Sequence, residues 1–182
     1  MIKITLKDGS VKEIVKEMSI LDIAKSISEG LARMATAGEV NGEVKDLRYV
    51  VEEDCSLNIL TFENSLEGKK AYWHTTSHIM AQAVKRLFPN AKLAIGPSID
   101  NGFYYDFDTE KPFTPEMLEA LEAEMKKIVK EDLTLERFVL PRKEALELMK
   151  DEPYKQELIN DLPEDAELSF YKQGDFTDLC AG

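Results

Sequence analysis

The chain opens on strict alternation. Ile2, Ile4 and Leu6 interleave with Lys3, Thr5 and Lys7, the period-two pattern of a half-buried strand. Asp8-Gly9 is a hairpin turn signal, and Val11 to Val15 predicts the returning strand. The period then changes. Ile20, Ile23, Ala24 and Ile27 form one helical stripe, with Ser19 as N-cap and Asp22 three residues on. Gly30 falls where a left-handed C-terminal cap is expected. Short strand pieces follow around Met34–Val40 and Tyr49–Val51, with Asn41-Gly42 as a tight turn. Leu57, Ile59 and Phe62 predict a last strand, although Leu60 breaks its alternation.

A second unit begins at Asn64-Ser65, with Glu67-Gly68-Lys69-Lys70 as a polar hinge or helix start. The pattern predicts a helix from about Ala71 to Phe88, stopped by Pro89-Asn90. Lys92 to Ile99 and Phe103 to Phe107 read as the two strands of a hairpin turning at Asp100-Asn101-Gly102. Thr114-Pro115 starts a helix whose stripe is Met117, Leu118, Leu121, Met125 and Ile128. Leu135 to Leu140 reads as a strand and Arg142 to Lys150 as a short helix. Beyond it, Pro153 and Pro163 punctuate the chain, and Leu168, Phe170 and Leu179 point to two more strands. Hairpin, helix and further strands within residues 1–62 resemble a ubiquitin-like β-grasp module. The whole chain reads as α+β, with residues 63–182 as helices packed on an antiparallel sheet.

Composition narrows the class. The 182 residues carry 23 Lys+Arg against 35 Asp+Glu, a net charge of −12. With 43% hydrophobic and 32% charged residues, a folded globular chain is expected rather than a disordered one. No run of about 18 apolar residues marks a membrane span, and the N-terminus lacks the apolar core of a signal peptide. Two cysteines, Cys55 and Cys180, are too few for a disulfide framework, so a cytoplasmic location is expected. The acidic balance argues against broad nucleic-acid binding. It is uneven, however. Residues 151–182 hold nine acids against Lys155 and Lys172, which is −7 of the total.

Both histidines lie in His74-Thr75-Thr76-Ser77-His78. Four residues apart on a helix, they project from one face, about 40° apart. Ile79, Met80, Ala83, Val84 and Leu87 cluster on the opposite side, whereas Ala81, Gln82 and Lys85 share the histidine face. That placement favours a site wall. Alone, the pair is a weak signal, since two histidines at this spacing arise often by chance, and no Glu follows His74 as a zinc-protease motif requires. With Cys180 the pair offers a His₂Cys ligand set for an open zinc site. Without metal, the same groups offer general acid–base chemistry on a water. Asp178 shares a face with Cys180 if that segment is a strand.

The His74–His78 stretch is followed by Ala91-Lys92-Leu93-Ala94-Ile95-Gly96-Pro97-Ser98-Ile99-Asp100-Asn101-Gly102-Phe103-Tyr104-Tyr105-Asp106. This run closely resembles the second domain of bacterial threonyl-tRNA synthetases. Tyr154-Lys155 and Asp178-Leu179-Cys180-Ala181-Gly182 match the same family, and residues 1–62 resemble the TGS domain that precedes it. The resemblance implies a TGS domain at 1–62 and a C-terminally truncated editing domain at 63–182. It implies hydrolysis of seryl-tRNA made in error on threonine tRNA. His74, His78, Asp178 and Cys180 match the editing pocket, while Tyr105 and Lys155 match positions that handle substrate. The partners it implies are the acceptor end of tRNA(Thr), a class II catalytic domain and an anticodon-binding domain, in an enzyme that is a homodimer and meets no membrane. ATP and a zinc ion belong to that catalytic domain. For editing, no cofactor is expected, with zinc at His74, His78 and Cys180 left open.

One departure bears on this. The family motif reads Cys-x-Gly-Pro-His, and this chain stops at Cys180-Ala181-Gly182. The expectation is therefore an N-terminal piece of a synthetase, with weak tRNA binding and little or no hydrolysis of its own. The competing readings are a free-standing trans-editing deacylase and a non-catalytic TGS module that binds RNA or a regulatory partner.

Overall fold

A computed structural model describes residues 1–15 and 17–180. Ala181 and Gly182, the end of the family match, lie outside the described residues. The chain forms two compact units, Met1–Trp73 and His74–Gly182.

In the first unit, β1 (Ile2–Leu6) and β2 (Val11–Ile14) form the expected hairpin. The turn closes through the Leu6 amide donating to the Ser10 carbonyl at 2.8 Å. After β3 (Met18–Ser19) comes α1 (Ile20–Ile27), and the Ser19 hydroxyl accepts from the Asp22 amide as the capping pattern predicts. Ile20, Ile23 and Ala24 are buried, but Ile27 is exposed. The helix ends at Ile27, three residues before Gly30. Ser28 is extended and itself caps a second helix, α2 (Glu29–Met34), so Gly30 lies inside that helix rather than ending the first. Ser28 accepts from the Leu31 amide, a cap stronger than the glycine signal.

Strands β4 (Ala35–Val40) and β5 (Glu43–Lys45) turn at Asn41-Gly42, both at positive φ as a type I′ hairpin requires. β6 (Val50–Val51) pairs with β3, and β7 (Cys55–Thr61) completes the main sheet. Its order is β2-β1-β7-β4-β5, with only β1 and β7 parallel. Leu60 breaks the alternation because Ile59, Leu60 and Thr61 are all buried. The sheet and α1 enclose one core around Ile4, Ile20, Ile23 and Leu57, which is a β-grasp fold.

The long helix α3 (Leu66–Leu87) begins five residues earlier than the pattern predicts. Ser65 caps it, accepting from the Gly68 amide at 2.8 Å, so the polar run Glu67–Lys70 is its first turn. The division between the two units falls within this helix.

The second unit then forms an interrupted hairpin. β8 (Lys92–Leu93) pairs with β11 (Phe107–Asp108), and β9 (Ser98–Ile99) with β10 (Gly102–Phe103). Each predicted strand is thus split in two. The cause is Gly96, where an added Cβ would stand 2.1 Å from the Tyr105 ring. The ring fills that space, and Pro97 has no amide for the ladder. Next comes α4 (Pro115–Glu131), capped by Thr114 with proline at its start. Leu121 and Ile128 face the core, but Leu118 is exposed.

Strand β12 (Leu135–Val139) is followed by α5 (Arg142–Leu148) and α6 (Pro153–Asp161). The sequence pattern gives no sign of α6, because Pro153 looks like punctuation, whereas it occupies the first helical turn, where proline lacks nothing the helix needs. β13 (Ser169–Gln173) and β14 (Phe176–Cys180) complete the antiparallel sheet β12-β13-β14. One face of this sheet packs Phe138, Phe170 and Leu179 against Ala145, Met149 and Ile159 of α5 and α6. The other face carries Arg137, Tyr171 and Asp178 side by side in register.

Phe170 is fully buried and stacks on Phe138 at 5.5 Å. Phe170→Ala is expected to cost about 3–5 kcal/mol, read as a fall in the urea midpoint of unfolding.

Candidate functional site

Three elements meet at one carboxylate. α3 carries His74 and His78, the Gly96–Tyr105 hairpin carries Tyr105, and α6 carries Lys155. The central strand pairing sets β14 so that Asp178 and Cys180, two apart, point to the same side. The face of α3 that bears the histidines is itself covered, not a free wall: Ala81, Gln82 and His78 on it are all buried.

Asp178 is 1% exposed. Its Oδ2 accepts from the Tyr105 hydroxyl at 2.7 Å and from His78 Nδ1 at 2.9 Å. Its Oδ1 faces Lys155 Nζ at 2.9 Å, an ion pair rather than an aligned hydrogen bond, since no donor meets hydrogen-bond geometry there. Burial alone would raise the Asp178 pKa. The bond from His78, the Lys155 charge and the Tyr105 hydroxyl outweigh it and hold the group well below the ordinary carboxylate range. An ionised carboxylate only accepts, so His78 Nδ1 carries a proton. Lys155 also lies 5.2 Å from the centre of the Tyr105 ring, a favourable place for a cation. Burial first, and Asp178 next, push the Tyr105 hydroxyl far up, so it remains a donor.

The free edge of His78 meets His74. Their Nε2 atoms stand 3.1 Å apart, and His74 Nε2 is also 2.9 Å from Cys180 Sγ. One proton serves the contact between the two ring nitrogens, on either His74 or His78. Burial, then His78, lower the His74 pKa to about 4, so His74 is neutral near pH 7. Burial and Asp178 push the Cys180 thiol up to about 11, so it keeps its proton and is a poor nucleophile. The arrangement is a relay from Asp178 through His78 to His74, ending at a neutral imidazole able to take a proton from water.

Every residue singled out from sequence is in this cluster: His74, His78, Tyr105, Lys155, Asp178 and Cys180. Tyr104, by contrast, is exposed. The sequence reading missed Tyr171, whose ring centre lies 5.8 Å from His78 and 6.3 Å from His74. Its signal was the strand register, in which Tyr171 stands directly opposite Asp178.

His74, His78 and Cys180 suit zinc by donor type, their ligand atoms all within 4.8 Å of one another. Asp178 on His78 Nδ1 is the usual outer partner of such a ligand. Their spacing is that of direct hydrogen bonds. Around one tetrahedral zinc, two nitrogens would stand roughly 3.3 Å apart and a nitrogen and a sulfur roughly 3.6 Å, so His74 would have to withdraw from Cys180. The set as it stands is a proton-sharing cluster.

The β-grasp unit is a TGS domain by similarity, since residues 2–61 match the TGS domain model. Over its whole length the chain corresponds to the N-terminal region of threonine--tRNA ligases. It is 68% identical to that ligase of Acetivibrio thermocellus, over 100% of this chain and 29% of the relative. Identity is 68% to the Clostridium perfringens ligase and 63% to that of Clostridioides difficile, over 28% and 29% of their lengths. The chain therefore spans less than a third of the relatives it matches. No helix among the described residues is long and apolar enough to cross a membrane.

Acid sensitivity follows from His74. Below about pH 6.5 the unfolded metal-free chain binds a proton there that the folded chain refuses until about pH 4. Stability is complete above that window and falls as pH drops through it, by about 3 kcal/mol. Asp178, held ionised by its partners, adds a loss of the same sign at still lower pH. His74→Gln should flatten the pH dependence of the urea midpoint between pH 6.5 and 4.

Proposed function

We propose that residues 63–182 form an editing domain that hydrolyses seryl-tRNA(Thr), within a cytoplasmic, homodimeric threonine--tRNA ligase. The observation that carries the reading is the hydrogen-bonded run Asp178–His78–His74, which ends at a neutral histidine. The ligase relatives support it by supplying the need for such a site. Serine is threonine less one methyl group, a difference worth only about 1–3 kcal/mol in a binding pocket. Selection by a second, hydrolytic site answers that need. The same similarity to ligases does not favour a free-standing trans-editing deacylase or a non-catalytic TGS module.

The chemistry is ester hydrolysis. His74 takes a proton from water as the oxygen attacks the seryl carbonyl carbon, and His78, braced by Asp178, shares the charge that develops. Lys155 offsets the negative charge on the carbonyl oxygen, and Tyr105 holds Asp178 while it does so. The bond from the carbonyl carbon to the ribose oxygen breaks, the proton passes to that oxygen, and serine and tRNA leave. Cys180 shapes the wall beside His74 as an uncharged thiol. None of these steps requires a metal. Ligation with ATP, the ligase's own zinc and most tRNA anchoring lie with the parts of the relatives beyond this similarity.

A polypeptide of full ligase length beginning with this sequence should release serine from seryl-tRNA(Thr) far faster than threonine from threonyl-tRNA(Thr). His74→Ala should lower serine release by about a hundredfold or more, and EDTA should leave it unchanged. Release that persists in His74→Ala, or that depends on added zinc, would overturn the reading. Tested alongside, the 182-residue chain should bind tRNA(Thr) only weakly at physiological salt.

A further inference from the structure

The polar face of α3 continues past the histidines. Gln82 forms a buried amide pair with Gln173, at 2.7 Å from Gln173 Nε2. One turn further, Lys85 meets Glu152, and here the network leaves the site already described. Lys85 Nζ donates to Glu152 Oε1 at 2.7 Å and to the Ala91 and Pro89 carbonyls at 2.9 and 3.1 Å. The other oxygen, Glu152 Oε2, accepts from the Leu93 amide at 2.8 Å. Glu152 is 9% exposed and is also the residue from which α6 starts.

Glu152 thus joins three segments. α3 carries the histidines, β8 leads into the hairpin that carries Tyr105, and α6 carries Lys155 one turn from Glu152. Two outer bonds reinforce the same junction: Lys92 Nζ to the Asp151 carbonyl at 2.9 Å, and the Tyr154 hydroxyl to Asp108 at 2.7 Å. α6 has no side-chain cap at its start, so the Glu152 carboxylate is spent on the other two segments rather than on its own helix. A carboxylate this buried must be paired. Fixing it therefore fixes where the first turn of α6 lies against α3.

We propose that the Lys85–Glu152 pair is a positioning device for the deacylation site, setting the N-terminal turn of α6 so that Lys155 reaches Asp178. Neither residue touches the cluster. Glu152 acts through the helix it starts, and Lys85 acts through Glu152. This rests on the editing reading for its effect on rate, but not for its effect on geometry.

Glu152→Gln keeps the size of the side chain and an acceptor for the Leu93 amide while removing the charge that binds Lys85. In a crystal structure of that variant, Lys155 Nζ should stand away from Asp178 by about 1 Å or more beyond its present 2.9 Å. Lys155 unmoved in the folded variant would overturn the inference. Lys85→Met should give the same displacement, and Glu152→Gln decides the matter if Lys85→Met does not fold. On seryl-tRNA(Thr), the full-length enzyme carrying Glu152→Gln should lose about tenfold in kcat with KM little changed. Added to Lys155→Met, Glu152→Gln should cost nothing further, because its effect passes through Lys155. Losses that multiply would mean a merely structural role and would overturn it. A wild-type enzyme that releases no serine would refute the editing reading, while the Lys155 displacement would still decide this one.

Discussion

The second unit is organised around one buried negative charge. Asp178 lies where water cannot solvate it, and an unpaired carboxylate there would be too costly to keep. It is kept ionised by three partners from three different elements: hydrogen bonds from His78 of α3 and Tyr105 of the hairpin, and the charge of Lys155 of α6. None of the three is adjacent in sequence to another. The requirement to satisfy Asp178 therefore acts as a long-range constraint, drawing α3 and the hairpin to a strand 100 and 73 residues further along the chain. It also orients the chemistry, because fixing the His78 Nδ1 proton on Asp178 turns His78 Nε2 toward His74.

That constraint explains why α3 is not amphipathic in the usual sense. One side packs Ala83, Val84 and their neighbours into a conventional core. The other side is also buried, but its lining is polar: His78, Gln82 and the stem of Lys85, each with a designated partner. A helix buried on two sides with one side polar has only one register that satisfies every group. Such a seam favours a unique arrangement at the expense of some stability, which suits the proposed hydrolytic site.

Local chemistry was legible in the sequence wherever a residue acts on its near neighbours. Ser19 and Thr114 cap helices, Asn41-Gly42 turns a hairpin, and Ile2, Ile4 and Leu6 alternate into a strand as their pattern dictates. The site residues were legible through family motifs and the His74–His78 spacing, but their roles were not. That His78 faces Asp178 while His74 faces Cys180 depends on strand register, which spacing along the chain does not encode. Gly30 and Pro153 look like breaks, but Ser28 caps a new helix through Gly30 and Pro153 sits in the first turn of α6. Lys92–Ile99 looked like one strand because the Tyr105 ring that needs room above Gly96 comes from across the hairpin. Ile27 and Leu118 look like core positions, yet both are exposed, Ile27 as the last residue of α1 and Leu118 in the first turn of α4. At Gly30 and Pro153 a stronger local signal prevailed, whereas in the hairpin a tertiary partner decided what the local pattern could only permit.

The pairing of Lys155 with Asp178 raises a difficulty for its proposed role, since a cation committed to a carboxylate has less to offer an oxyanion. The number of donors resolves it. Tyr105 and His78 both bind Oδ2, whereas Lys155 alone faces Oδ1, and does so without hydrogen-bond alignment. Lys155 can therefore turn its protons toward a substrate oxygen while its charge stays close to Asp178. The two aligned bonds keep the carboxylate ionised and His78 in place. The Tyr105 ring beneath the ammonium keeps the cation favourably placed as it turns. An aligned bond from Lys155 to Asp178 would make the resting site more stable and the transition state of the proposed hydrolysis less so. In the proposed hydrolysis, the looser contact would leave that stabilisation to be realised as charge develops on the substrate, which would lower the barrier.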